Sequence, residues 1–187
     1  IKEFSNKNFA FYLETRGTIY SKSEILGIGI YDGANGYFIS KDLINDYKYL
    51  DLFPVGRLDI DTEGLLLITN DGALSHNLLS PKKHVDKTYY LETNEVLTSD
   101  DINQIESGVL IDNELTLPAK LEIVNDNKYL LTIHEGKFHQ VKRMISSVGK
   151  KVTFLKRIKF GSLVLDKDLP LGSYRLLTNE EIENLKK

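Results

Sequence analysis

The chain has no cysteine and no tryptophan, one methionine and four prolines in 187 residues. Without cysteine there is no disulfide scaffold, thiolate zinc site, iron–sulfur cluster or thiol nucleophile. The four histidines (His76, His84, His134, His139) form no HxH or HExxH pair. No apolar run approaches the roughly 20 residues of a membrane span, and the longest, Gly64 to Ile68, is strand-sized. The chain starts with Ile rather than Met and shows no targeting segment, which suggests a fragment or processed chain. The composition suits a reducing cytosol.

What is present is enough for a globular core: 41% hydrophobic against 27% charged residues, in a length that fits one ordinary domain or two small lobes. The net charge is −3, which argues against a nucleic-acid binder until its distribution is considered. Between His134 and Phe160 lie Lys137, Lys142, Arg143, Lys150, Lys151, Lys156, Arg157 and Lys159, with Glu135 the one acid. The rest of the chain is correspondingly acidic. Such polarity fits either a solvated helix and strand or an anion-binding face.

Period-2 patterning predicts strands over Phe9–Leu13, Leu26–Tyr31, Val85–Glu92, Leu115–Val124, Tyr129–His134, Val152–Lys159 and Ser162–Leu165, and a buried strand over Leu65–Thr69. Asp32–Gly36 and Asn70–Gly72 read as turns. Helices are expected over Lys41–Tyr49, Ala73–Leu79, from Thr98 to about Ser107, over Phe138–Val148 and after the Thr178–Glu181 capping box. Val141, Met144, Ile145 and Val148 form the apolar stripe of the fourth, with Gly149 closing it. This is an α+β fold with a mixed, mainly antiparallel sheet.

Asp59-Ile60-Asp61-Thr62-Glu63-Gly64 imitates the opening of a calcium loop, but position twelve is Asn70 instead of Glu. Gly27-Ile28-Gly29 lacks the third glycine of a dinucleotide fingerprint. Asp59, beside Arg57 and ahead of an apolar run, reads either as part of a solvated loop or as a carboxylate kept ionised by a cation. His139, Lys142, Arg143 and Ser146 share the polar face of the fourth helix, so this face can supply that cation and phosphate contacts.

Four segments, in order, resemble the RsuA/RluB-type pseudouridine synthases: Pro54–Gly72, with Gly56-Arg57-Leu58-Asp59 at its head; Lys87-Thr88-Tyr89; Glu135–Met144; and Gly172–Thr178. The versions His139–Met144 and Leu177–Ile182 are most similar to the small-subunit branch. The resemblance implies that residues 1–187 form the catalytic domain, with flanking helices and a central cleft. It implies Asp59 as catalytic residue and Arg57, Tyr89, Lys142, Arg143 and Leu177 as substrate-binding residues. It implies no metal or cofactor, and as partner ribosomal RNA, of the small or else the large subunit, free or within a partly assembled particle. A cytoplasmic monomer without membrane contact is expected.

Two departures stand out. The family's Asn-Lys-Pro-x-Gly segment is replaced by Leu13-Glu14-Thr15-Arg16-Gly17, and no upstream S4-type RNA-binding domain is visible. Turning a uracil over needs a carboxylate, a cation and an aromatic pocket for the unstacked base. Whether Asp59 attacks the ring, attacks the ribose or removes a ribose proton is open from sequence. A non-catalytic RNA-binding module and a carboxylate hydrolase using Asp59 with Asp61 or Glu63 are the competing readings.

Overall fold

The structure, a computed structural model, describes residues 10–16, 24–31, 36–40 and 52–187. The helix expected over residues 41–49 and most of the turn at 32–36 lie outside them. The chain divides into two compact units, Ile1–Leu52 with Asp168–Arg175, and Phe53–Lys167 with Leu176–Lys187.

In the first unit, β1 (Ala10–Arg16), β2 (Glu24–Tyr31) and β3 (Gly36–Ser40) form an antiparallel meander. Ala10 pairs with Tyr31 and Gly27 with Ser40. The first two strands match the sequence pattern with wider bounds; β3 was not anticipated.

The second unit is built on β7 (Lys87–Thr93), β10 (Lys120–Asn125), β11 (Lys128–Ile133), β12 (Val152–Phe160) and β13 (Leu163–Val164), in the order β10-β11-β7-β12-β13. All these neighbours are antiparallel. β5 (Glu63–Gly64) adds to β12 in parallel, placing Glu63 opposite Lys156 and Gly64 opposite Arg157. β4 (Phe53–Pro54) pairs with β6 (Ile68–Thr69).

The run Leu65–Thr69 is therefore not one strand. Its two ends serve different partners, β12 and β6's neighbour β4, and the chain bends between them. Gly64 sits at φ +107 with its backbone against that of Arg157; a Cβ there would lie 2.2 Å from the Arg157 carbonyl oxygen. Only glycine fits such an approach. Leu67 is buried while Ile68 is exposed. Likewise Leu115–Val124 splits into β9 (Glu114–Leu115) and β10. β9 pairs with β8 (Leu110–Ile111) through a two-residue turn, Asp112-Asn113, in which both residues have positive φ (53° and 64°). That is the hairpin geometry Asp and Asn tolerate, and Pro118 then keeps the chain out of the ladder until Lys120.

The helices are α1 (Gly72–Leu79), α2 (Ser99–Ser107), α3 (Gln140–Ser147) and α4 (Asn179–Lys186). Asp71, expected in a turn, is the N-cap of α1 and accepts from the Leu74 amide at 2.9 Å. Both expected caps form reciprocal boxes, Thr98 with Asp101 and Thr178 with Glu181. α3 is shorter than its pattern suggests, because His139 takes a left-handed conformation (φ 50°, ψ 33°) and starts it two residues late.

Leu91, Leu131, Tyr129 and Leu155 of the sheet pack with Ile105 of α2 and with Val141, Met144 and Ile145 of α3 in one core. A second gathers Val55, Leu67, Leu74, Leu78, Phe160, Leu163 and Leu185. The architecture is the expected α+β fold with mainly antiparallel sheets. No helix among the described residues is long and apolar enough to cross a membrane.

Candidate active site

Asp59 lies on a loop fastened at both ends. Before it, the Val55 amide donates to Leu67 O at 2.8 Å; after it, Thr62 N bonds Asp59 O at 2.9 Å and Leu65 N bonds Arg157 O at 2.8 Å. The Arg157 side chain completes the fastening. It is 2% exposed, donates from Nε to Leu65 O at 2.8 Å and reaches Arg57 O from Nη1 at 3.5 Å. It thus holds carbonyls on either side of Asp59. It also lies 5.1 Å from the centre of the Phe160 ring, and its Nη2 has no hydrogen-bond partner among the described residues. A buried guanidinium bonded to carbonyls is costly unless the geometry it fixes matters.

The Asp59 carboxylate, 26% exposed, faces α3. Lys142 Nζ stands 3.2 Å from Oδ2 and His139 Nε2 3.6 Å from Oδ1. Lys142 also hydrogen-bonds Asp61 Oδ1, so two carboxylates share one ammonium. Partial burial pulls Lys142 down, but the bonds and charges of Asp61 and Asp59 outweigh it and its pKa stands above 10.5. The Lys142 hydrogen bond holds Asp61 below 3.8.

The other expected residues are distributed as follows. Tyr89, half-buried on β7, stands opposite Arg157 on β12 and packs on the first core. Leu177, just before α4, packs on the second. Arg57 is exposed at the side chain and held at its carbonyl. Arg143 does not reach Asp59: it forms a two-pronged bond with Asp112 at 2.8 and 2.6 Å, at the β8–β9 turn. Lys87 is buried, with Nζ 3.3 Å from Val85 O and 5.3 Å from the Phe160 ring centre. Burial, and then the charge of Arg157, lower its pKa below 10.5.

The basic segment is more neutral in space than in sequence. Lys137 pairs with Glu114, Lys142 with Asp59 and Asp61, Arg143 with Asp112, and Lys150 with Glu95. Sequence reasoning missed Arg157 as part of the site, and paired Asp61 with Asp59 only in the competing hydrolase reading, not as a second partner of Lys142. Asp61 falls two residues past Asp59 in the same motif, which was the available signal; for Arg157, buried on a strand of lysines, there was none. Among the described residues no three His, Asp or Glu side chains converge for a metal; Asp59 and Asp61 turn to Lys142.

Known proteins resemble this chain in sequence and in fold. The family described as RNA pseudouridylate synthase matches residues 37–147. The chain is 46% identical over 145 residues to ribosomal small subunit pseudouridine synthase A of Vibrio cholerae, covering 76% of this chain and 63% of that protein. It is 52% identical over 138 residues to the RNA pseudouridine synthase YtzG of Bacillus subtilis, covering 71% and 58%. A crystal structure of a pseudouridylate synthase superposes with a TM-score of 0.72 at 44% identity, over 79% of this chain and 66% of that one. The chain belongs to the RNA pseudouridylate synthase family. It spans about three-fifths of the length of the curated relatives it matches.

Proposed function

We propose that this protein isomerises a uridine of ribosomal RNA to pseudouridine, with Asp59 as the catalytic carboxylate. The observation that carries this reading is the Asp59–Lys142 pair, 3.2 Å apart and only a quarter exposed, set at the motif position a pseudouridine synthase requires. The reaction replaces the bond from ribose C1′ to N1 by one to C5 and returns a proton from C5 to N1. No atom is imported and no electron is lost, so a carboxylate, a cation and a pocket suffice.

In this reading Lys142 holds the Asp59 carboxylate in place from 3.2 Å, and Asp59 acts as nucleophile or base on the base–sugar unit. Tyr89 and Leu177 line the pocket of the flipped uracil, and Arg57 holds the extruded nucleotide. Arg143, engaged with Asp112, meets RNA only by exchanging that partner. The small-subunit names of several relatives at 46–48% identity favour small-subunit RNA as substrate. Residues 1–187 then serve as a catalytic domain, working as a cytoplasmic monomer on free RNA or a partly assembled subunit.

The test is pseudouridine mapping in small- and large-subunit RNA, from cells with and without the gene and after incubation of unmodified transcripts with the protein. One small-subunit uridine should lose its modification without the gene and regain it with the enzyme. A missing site in large-subunit RNA would move the substrate to the other branch. RNA bound without any turnover would favour a binding module.

A further inference from the structure

We infer that Phe138 and His139 form a stacking platform for a nucleobase that flanks the target uridine. This rests on the RNA-directed reading above and assigns a second base contact beside Asp59. Phe138 is 68% exposed and, among the described residues, is not one of the hydrophobic side chains packed on either core. Its ring stacks on the His139 imidazole, centroids 3.8 Å apart and planes 21° apart. His139 Nε2 is 3.6 Å from the Asp59 carboxylate, so the stack begins at the site.

The segment that presents the two rings is held from behind. Gln140, 4% exposed, accepts from the Lys137 amide at 2.9 Å and donates to Glu135 Oε1 at 2.8 Å, and that oxygen also accepts from Leu117 N at 2.9 Å. His139 is left-handed and offers no side-chain cap to α3. A left-handed histidine that caps nothing is an unfavourable way to begin a helix, and such strain concentrates where a function requires it. Here it turns the imidazole to Asp59 and leaves the outer face of Phe138 open to solvent.

An exposed flat ring next to a site that handles an unstacked nucleotide fits single-stranded RNA, whose bases stack on aromatic side chains with little regard to sequence. A base that lies beside a flipped uridine has itself lost a stacking neighbour. Phe138 supplies a replacement at a fixed distance from the carboxylate.

The experiment uses heptaribonucleotides with a central uridine, flanked either by adenines or by abasic sites. Phe138→Leu keeps the apolar bulk but removes the ring. It should raise KM for the adenine-flanked RNA about tenfold or more while kcat at saturation stays within about twofold. Phe138→Tyr should restore KM. The abasic-flanked RNA should not distinguish the variants. Because the chain has no tryptophan, Phe138→Trp carries a single indole, and its emission should be quenched by the adenine-flanked RNA and not by the abasic one. Equal KM for wild type and Phe138→Leu, or emission blind to both RNAs, overturns the platform. If the wild type forms no pseudouridine on the short RNA, the quenching decides the platform alone, and the proposed activity stands or falls on the transcript and mapping test above.

Discussion

Lys142 and Arg143 are neighbours on one helix, 24% and 33% exposed, and each meets carboxylates from a distant loop. The outcomes differ. Arg143 and Asp112 match one charge to one charge in a fork geometry, with Asp112 itself 75% exposed. Such a fork is a complete pair in itself, and with Asp112 so exposed, solvent screens its charge. Lys142 faces both Asp59 and Asp61, with His139 next to Asp59, so charge is unevenly shared and one carboxylate is left partly uncompensated. On the proposed reading, the difference teaches that a surface ion pair and a catalytic one can be built from adjacent residues. What separates them is the fastening of the partner loop: the Asp59 loop is clamped by Arg157, whereas Asp112 rides on a hairpin turn.

The strongest way to break the comparison is to remove the charge that Lys142 serves. Asp59→Asn is isosteric and should lower pseudouridine formation by roughly 10²–10⁴-fold, with Tm and RNA affinity nearly unchanged. Single-turnover rates at saturating enzyme measure this. A variant within tenfold of wild type would take Asp59 out of the chemistry.

Next comes the clamp. Arg157→Lys keeps the charge but loses the fork that spans Leu65 O and Arg57 O. It should destabilise the fold by about 2–4 kcal/mol, read by urea unfolding, and slow turnover through the Asp59 loop. Unchanged stability would mean that the buried guanidinium holds nothing.

The two neighbours can then be compared directly. Lys142→Met leaves Asp59 without its ammonium and should cost activity on the order of 10²-fold. Arg143→Met should cost less than about fivefold, both read as single-turnover rates at saturating enzyme. The reverse ranking would reassign the cation.

How far this site could be read in advance follows from where its information sits. Thr98, Thr178 and the stripe Val141-Met144-Ile145 depend on residues within one or two turns, and they stand as the pattern predicts. The Asp59–Lys142 pairing spans 83 positions and was legible only because a whole motif resembled a known family. Arg143–Asp112 was not, since Asp112 sits in a turn next to a stretch read as a single strand, although Asp-Asn with two positive φ values is itself a hairpin signal. The left-handed His139 was hidden for another reason. The helical stripe runs through it in sequence, and only the tertiary demand for an imidazole at Asp59 and a polar anchor at Gln140 halts the helix there.

The smallest expected effect sharpens the comparison at Asp61, the carboxylate that Lys142 holds besides Asp59. The Lys142 hydrogen bond lowers the Asp61 pKa below 3.8. A carboxylate lowered on folding adds stability that is present above its unfolded pKa and is lost as pH falls through the folded value. Lys142, raised above 10.5, adds stability present below that value and lost as pH rises through its folded pKa. Asp61→Asn should abolish the first contribution and keep part of the second, because Asp59 still faces the ammonium. Wild type should thus lose Tm more steeply than the variant below pH 4, and the two curves should converge there. Asp61 is 67% exposed, so solvent screening keeps the gap at neutral pH to about 3 °C or less. Calorimetry from pH 2 to 8 measures both curves. If they run parallel, Lys142 does not hold Asp61 in solution, and the shared ammonium reduces to a simple pair like that of Arg143.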